Sequence, residues 1–234
     1  MRLVFLIPSL RAGGAERVFA NLLSLWDLER DEVHLVLLKS EGPLLATLPA
    51  RVIVHELGTP RFLQAIPRLV KLVRSLSPDA LLSTHAHMNA AVGLLRHWLR
   101  VPRVVGRETN MPRQVETASR SSLLRRAIYG WGYRRLDAVV ALSAAMADEL
   151  AELYGVTRAA VIPNPLRIRE VRESAAQALP PEFAAMAQGR WLAAVGRFSD
   201  QKGFDLLLQA MSELPSDIHL CLIGEGPLRS SLEA

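Results

Sequence analysis

The residues best suited to chemistry fall in four short loops. In the first, Pro8-Ser9-Leu10-Arg11-Ala12-Gly13-Gly14-Ala15-Glu16-Arg17, a glycine pair stands where an apolar run gives way to an amphipathic one. Glycine lets main chain approach a phosphate, and the free N–H groups and positive dipole end of a following helix favour an anion. Glycine at a strand-to-helix turn is also plain geometry, so the pair alone leaves both readings open. The second loop, Ser83-Thr84-His85-Ala86-His87-Met88-Asn89, sits where side chains at a strand's end reach a crevice. The third, Gly196-Arg197-Phe198-Ser199-Asp200-Gln201-Lys202-Gly203, sets a guanidinium and an ammonium five positions apart between a strand and a helix. Only Lys39, Lys71 and Lys202 are lysines in this arginine-rich chain, so Lys202 is hard to read as interchangeable surface charge. Together the two cations suit the phosphates of a nucleoside diphosphate. The fourth loop, Gly224-Glu225-Gly226-Pro227, repeats the strand-glycine-helix design. The dinucleotide fingerprint and the P-loop pattern are both absent, which disfavours NAD and ATP by those routes.

The elements that carry these loops read as α/β. Continuous apolar runs of strand length, Leu3 to Ile7, Val33 to Leu38, Val52 to Leu57, Ala80 to Ser83, Val104 to Gly106 and Val139 to Leu142, predict parallel strands covered on both faces. Amphipathic stretches separate them: Ala15 to Trp26, Leu63 to Leu76, Ala90 to Leu99, Ser122 to Arg135 and Ala144 to Tyr154. After Pro163-Asn164-Pro165 the pattern breaks, and the charged, alanine-rich stretch to Gly189 with its Pro180-Pro181 pair reads as a connection. A strand at Trp191 to Val195, a helix at Phe204 to Leu214 and a strand at His219 to Ile223 then open a second series. The division expected is a first domain over 1–168, a linker over 169–189 and a partial second domain over 190–234.

Composition narrows the classes. The chain has 234 residues, half of them apolar, and a formal charge of +5, which places it among globular proteins and sets disorder and fibres aside. A single cysteine, Cys221, cannot build a disulfide framework, so a reducing compartment, the cytoplasm, is expected. No run approaches the roughly 20 apolar residues of a membrane span, so any membrane attachment is expected to be peripheral.

Taken in order, these motifs resemble those of a family 4 glycosyltransferase of the GT-B fold. Gly13-Gly14-Ala15-Glu16-Arg17 is similar to the family's N-terminal glycine loop, and Pro163-Asn164-Pro165 to its boundary motif. Gly196 to Gly203 resembles the donor loop, and Gly224 to Pro227 the element that follows it. The resemblance implies two facing Rossmann-like domains with a nucleoside-diphosphate sugar between them, a UDP-sugar being the expected donor, and no further cofactor or metal. It assigns Arg197 and Lys202 to the diphosphate and makes Gly13 and Gly14 backbone contacts from the opposite wall. It adds Gly224, Glu225 and Gly226 to the donor site. It also implies a histidine touching the transferred sugar; His87, with Asn89 two residues on, is the better match and His85 the alternative, and His85, His87 and Asn89 are the candidate sugar or acceptor contacts. The remaining histidines offer no metal-ligand spacing, and His34, His55 and His219 read as packed in strands, with His97 on a helix surface.

The family's acidic E-x7-E motif and its base-binding loop have no counterpart before residue 234, so the expectation is a truncated chain of weak or no transferase activity. The reaction implied is retaining sugar transfer to a hydroxyl acceptor in polysaccharide, lipopolysaccharide or glycolipid assembly. A non-catalytic remnant or binding module is the rival. Ten arginines (96, 100, 103, 107, 113, 120, 125, 126, 134 and 135) against Glu108 and Glu116 give residues 96–135 a local charge of +8, which leaves the remainder at −3. A helix there with Leu123, Leu124, Ala127, Ile128 and Trp131 on one face reads either as an anionic-membrane surface, where a lipid-linked acceptor would be met, or as an ordinary core-facing helix. An arginine-rich nucleic-acid binder is the third and weakest reading, since aromatics are few and no module is recognisable, and no nucleic-acid partner is expected.

Overall fold

A computed structural model of the chain describes residues 1–11, 13–117, 122–178, 180, 181, 183, 186 and 189–233. The chain divides into two units, Met1–Arg167 and Ile168–Ala234.

The first unit is built on a seven-stranded sheet. Its strands are β1 (Arg2–Ile7), β2 (Glu32–Leu37), β3 (Ile53–Glu56), β4 (Ala80–Thr84), β5 (Arg103–Arg107), β6 (Ala138–Ala141) and β7 (Ala159–Val161). All neighbours pair in parallel, in the order β3-β2-β1-β4-β5-β6-β7. The continuous apolar runs have the expected cause. In β1, Val4 and Leu6 enter one core with Phe62, Leu69 and Met88, while Leu3, Phe5 and Ile7 enter another with Phe19 and Leu23. Both faces of the central strands are therefore buried; β3, at the sheet edge, is largely open.

Helix α1 (Gly14–Ser24) covers one face, and α2 (Phe62–Leu76) and α3 (Ala86–Leu94) cover the other. A third core forms around α6 (Ser122–Tyr133), β6 and α7 (Ala144–Tyr154). Helix α7 starts where the Ser143 hydroxyl accepts from the Met146 amide and stops at left-handed Gly155. Three features differ from the sequence expectation. The third helix begins at Ala86 rather than Ala90 and breaks at Leu95 into a short α4 (Arg96–Leu99). Strand β7 and helix α5 (Pro112–Thr117) arise where no periodicity announced them, being too short to show a period.

The second unit holds α8 (Ile168–Ala175), inside the stretch that reads as a linker, then β8 (Arg190–Val195), α9 (Phe204–Met211), β9 (Ile218–Ile223) and α10 (Arg229–Leu232). Strands β8 and β9 pair in parallel. None of their residues is fully buried, unlike the covered strands their composition suggests, because a two-stranded sheet offers few neighbours. His219 accordingly lies exposed beside the Trp191 ring, 4.8 Å between centroids.

Candidate functional site

Strand order decides where the first unit can bind a ligand. Chain continuity runs outward from β1 to β2 on one side and from β4 to β5 on the other, so the sheet's topological switch point lies between β1 and β4. Crevices outside the carboxyl ends of strands at such points are where open α/β sheets bind ligands. The β1–α1 loop with Gly13 and Gly14 and the β4–α3 loop with His85 and His87 flank that point.

A β-carbon on Gly14 would meet nothing within 4 Å, so packing does not demand glycine there and the helix terminus is open at that residue. Gly13 is the N-cap, with the Glu16 carboxylate folded against it.

His85 is strained. Its φ of 71° and ψ of 135° lie in a region that side chains avoid, yet its carbonyl accepts from the amides of Met88 and Asn89 and so starts α3. Its Nδ1 shares a hydrogen bond of 3.2 Å with the Thr109 hydroxyl. The His85 and His87 rings stack with centroids 6.2 Å apart. Desolvation holds both imidazoles below their ordinary pKa, helped by Arg107 at His85 and by His85 at His87. A neutral His87 imidazole at this strand end can donate to and accept from sugar hydroxyls, while His85, its Nδ1 held by Thr109, has Nε2 for one such bond.

Beneath them lies a buried polar network that the sequence did not reveal. Ser83 donates to Asn89 Oδ1 at 2.6 Å; Asn89 Nδ2 donates to the Arg107 carbonyl at 3.0 Å and to the Tyr133 oxygen at 3.3 Å. The Tyr133 hydroxyl donates to Glu108, which also accepts from the Thr109 amide at 2.8 Å. Burial pushes the Glu108 carboxyl and the Tyr133 phenol up. Arg107 donates to Asn164, the central residue of the Pro163-Asn164-Pro165 motif, and its Nη1 is buried without a partner, as is the hydroxyl of Thr84 facing it across the β4–β5 pair. Two expectations change here. Asn89, a candidate sugar or acceptor contact, is fully buried and spends its amide holding the start of α3. Arg107, one of the ten arginines of the basic stretch, is 6% exposed. The one available signal was Arg107-Glu108, a charged pair directly after an apolar strand.

His87 also borders a groove of about 710 Å³ between α2, α3 and α6. Its walls are Phe62, Leu63, Ala90, Ala91, Leu94, Ile128 and Tyr129, with Arg61 and Gln64 supplying polar groups beside His87. Phe62 stands edge-on to the His87 ring at 6.1 Å.

In the second unit, the β8–α9 loop and the β9–α10 loop are knitted together. The Phe198 amide donates to the Glu225 carbonyl at 2.9 Å and the Leu228 amide to the Phe198 carbonyl at 3.2 Å. A β-carbon on Gly224 would strike the Gly196 carbonyl, and one on Gly226 the Phe198 carbonyl, so both glycines are required by loop-on-loop packing. Glu225 pairs with Arg229. Arg197 and Lys202 are exposed and have no ion-pair partner among the described residues, on either side of a turn closed by Gly203 at φ 62°.

The basic stretch is less free than its charge suggests. Arg126 and Arg134 donate to carbonyls that end α7, Arg96 to those of Val101 and Pro102, and Arg113 pairs with Glu149 and Glu152. Arg120 lies outside the described residues. The apolar face of α6 points outward: Leu123, Leu124, Ala127, Ile128 and Trp131 are exposed, with Arg135 stacked over the Trp131 ring at 4.2 Å. The core-facing alternative is thereby set aside, since α6 buries Gly132 and Tyr133 instead. Among the described residues, no helix is long and apolar enough to cross a membrane and no group of three metal-ligating side chains occurs.

The profile of Glycosyltransferase Family 4 matches residues 12–170. The chain belongs to this family. An N-acetylgalactosamine-N,N'-diacetylbacillosaminyl-diphospho-undecaprenol 4-alpha-N-acetylgalactosaminyltransferase from Campylobacter jejuni is 25% identical over 247 residues, covering 100% of this chain and 65% of the relative. The chain thus spans about 65% of that relative's length. Anabaena HepE in complex with UDP-glucose shares the fold with a TM-score of 0.69 at 18% identity, over 96% of this chain and 61% of that one. A Rickettsia africae glycosyltransferase does so with a TM-score of 0.68 at 15% identity, over 99% and 62%. The parallel sheet of the first unit is accordingly a Rossmann-like domain of the GT-B type that family 4 transferases use.

Proposed function

We propose that this chain carries the acceptor-side domain and the diphosphate-binding loops of a glycosyltransferase. The reaction is transfer of a sugar from a nucleoside-diphosphate sugar, with a UDP-sugar as the first choice, to a hydroxyl of a lipid-linked or saccharide acceptor in cell-surface polysaccharide or glycolipid assembly. Membership of family 4 supports the reaction class, HepE was solved with UDP-glucose, and the Campylobacter relative's name specifies a diphospho-undecaprenol acceptor.

The observation that carries the donor assignment is the pair Arg197 and Lys202, two exposed cations without carboxylate partners among the described residues, around the turn after β8. They neutralise the charge that grows on the leaving diphosphate, stabilisation that matters most in the transition state. Gly224 and Gly226 act by shaping the loop that backs them, and Glu225 by its pair with Arg229. In the first unit, the open amide end at Gly14, with Gly13 as its cap, offers hydrogen bonds to an anion or a hydroxyl. His87 contacts the transferred sugar, and His85 fixes the loop that presents it. The division of labour follows the two units, with residues 1–168 serving the acceptor and 190–234 the donor.

The site of action is the cytoplasmic face of a membrane, reached peripherally. An outward face of leucine, isoleucine and tryptophan on α6, next to Arg135, is the pattern of a helix that lies in a lipid interface.

Calorimetry with UDP tests the donor reading. Losing a charge-assisted bond on Lys202→Ala costs about 1.5–3 kcal/mol, roughly a 10- to 150-fold weaker Kd. Unchanged affinity in that variant would remove Lys202 from the site.

A further inference from the structure

The groove beside His87 is not absorbed by donor binding, and its chemistry is specific. Its walls are aliphatic and aromatic, it carries no acidic side chain, and its volume of about 710 Å³ falls within the range of roughly 300–1,000 Å³ typical of small-molecule pockets. Leu63 and Ile128, 77% and 42% exposed, hold apolar surface open to water that a folded chain would otherwise bury. Arg61, exposed at the start of α2, is the groove's cation and has no ion-pair partner among the described residues.

We infer that this groove seats the aliphatic segment of a lipid diphosphate, the anchor of the acceptor sugar, with Arg61 meeting the diphosphate. Three observations select this occupant. The groove shares His87 with the candidate sugar-binding loop, so whatever fills it lies against the reacting end of the acceptor. Apolar walls with the exposed Arg61 guanidinium, unpaired among the described residues, complement a molecule that is hydrocarbon with an anionic head. Ile128, on the groove wall, also belongs to the outward apolar face of α6 with Leu124 and Trp131, so a chain leaving a bilayer there reaches the groove over continuous apolar surface. The inference rests on the transferase reading and adds to it how the acceptor is held.

Farnesyl diphosphate, used as a monomer in solution with the whole chain, is the probe, and inorganic pyrophosphate and UDP are the comparators. Farnesyl diphosphate is expected to bind at least about tenfold tighter than pyrophosphate, since buried methylene groups add affinity cumulatively. Leu63→Glu and Ile128→Glu, both at exposed positions, should each weaken it by about tenfold or more while UDP binding stays unchanged, and Arg61→Ala should weaken it without affecting farnesol. Equal affinity for farnesyl diphosphate and pyrophosphate, or indifference to both glutamate variants, overturns the proposal. So does binding to anionic vesicles with none to the monomeric probe, which would make the face a membrane contact only. A dimer in light scattering that dissociates in Leu63→Glu would make it a self-association face and overturns it as well. Loss of UDP binding with farnesyl diphosphate binding intact would instead remove the donor reading and leave the groove assigned.

Discussion

At the scale of single residues, His85 is the most informative. A φ of 71° with a ψ of 135° costs on the order of 1–3 kcal/mol in a residue with a β-carbon, and such strain persists where surrounding structure over-determines it. His85→Gly should therefore gain about 1 kcal/mol in denaturant unfolding, once glycine's extra chain entropy is subtracted. The same residue sets a pH response. Its native pKa lies below the ordinary 6.5, so as the pH falls through about 6.5 the unfolded chain takes up a proton that the native imidazole refuses. Stability is full above that value and declines with acidification towards the native pKa. Glu108, raised above 4.5, contributes with the opposite slope, its penalty growing as the pH rises through 4.5. The contribution of His85 is isolated by comparison: His85→Gln should lessen the loss of unfolding free energy on acidification below about pH 6.5, with His55 and His87, whose pKa values are also lowered by burial, supplying the rest. Tyr133→Phe removes the hydroxyl that serves both Glu108 and Asn89 and should cost about 1–3 kcal/mol, measured by the same unfolding. The two histidines were legible because His-x-His at a strand end is a local pattern. The network was not, because Ser83, Asn89, Glu108 and Tyr133 meet only through tertiary contact across three elements.

At the scale of elements, α3 and α6 approach backbone to backbone. A β-carbon on Gly93 would strike the Gly132 carbonyl, and one on Gly132 the carbonyl of Ala90. Gly93→Ala or Gly132→Ala should each cost about 1–3 kcal/mol, because main chain cannot move aside as a side chain can; thermal unfolding checks this. The groove should suffer too, since Ala90, Ala91 and Leu94 on one of these helices face Ile128 and Tyr129 on the other. Gly14 behaves oppositely. With open space around its missing β-carbon, Gly14→Ala should leave stability unchanged or raise it by up to about 1 kcal/mol through helix propensity, while weakening any ligand that needs close approach to its amide. A melting curve and a binding isotherm on one sample separate the two effects. The early start of α3 was hidden for a related reason: Ala86, Met88 and Asn89 are all buried and His87 alone is open, so the stretch carries no amphipathic period.

At the scale of the whole molecule, net charge is a poor guide to free charge. The local +8 of residues 96–135 shrinks once Arg107 is found buried, Arg126 and Arg134 are found on the carbonyls of α7, and Arg113 is found paired. On the peripheral-membrane reading proposed above, what remains is an apolar helix face with Arg135 at its flank. Binding to vesicles with anionic lipid should accordingly depend on both terms. Trp131→Ala or Leu124→Ser should weaken it severalfold, and added salt should reduce it only in part, in contrast to the steep salt dependence of purely electrostatic binding. Co-sedimentation at two salt concentrations measures this.

By itself, the order of residues determined the α/β class, nearly every strand of both units, and the four loops in which glycine, histidine, arginine and lysine collect. Those features are written in local periodicity and in motifs of a few residues, where neighbours in sequence are neighbours in space. Tertiary structure alone decided the strand order that puts the glycine loop and the histidine loop on either side of one switch point, the outward turn of the apolar face of α6, and the groove against His87. Each of these depends on which distant segments share a boundary with water, and burial is a property of the assembled surface that no single stretch of chain carries.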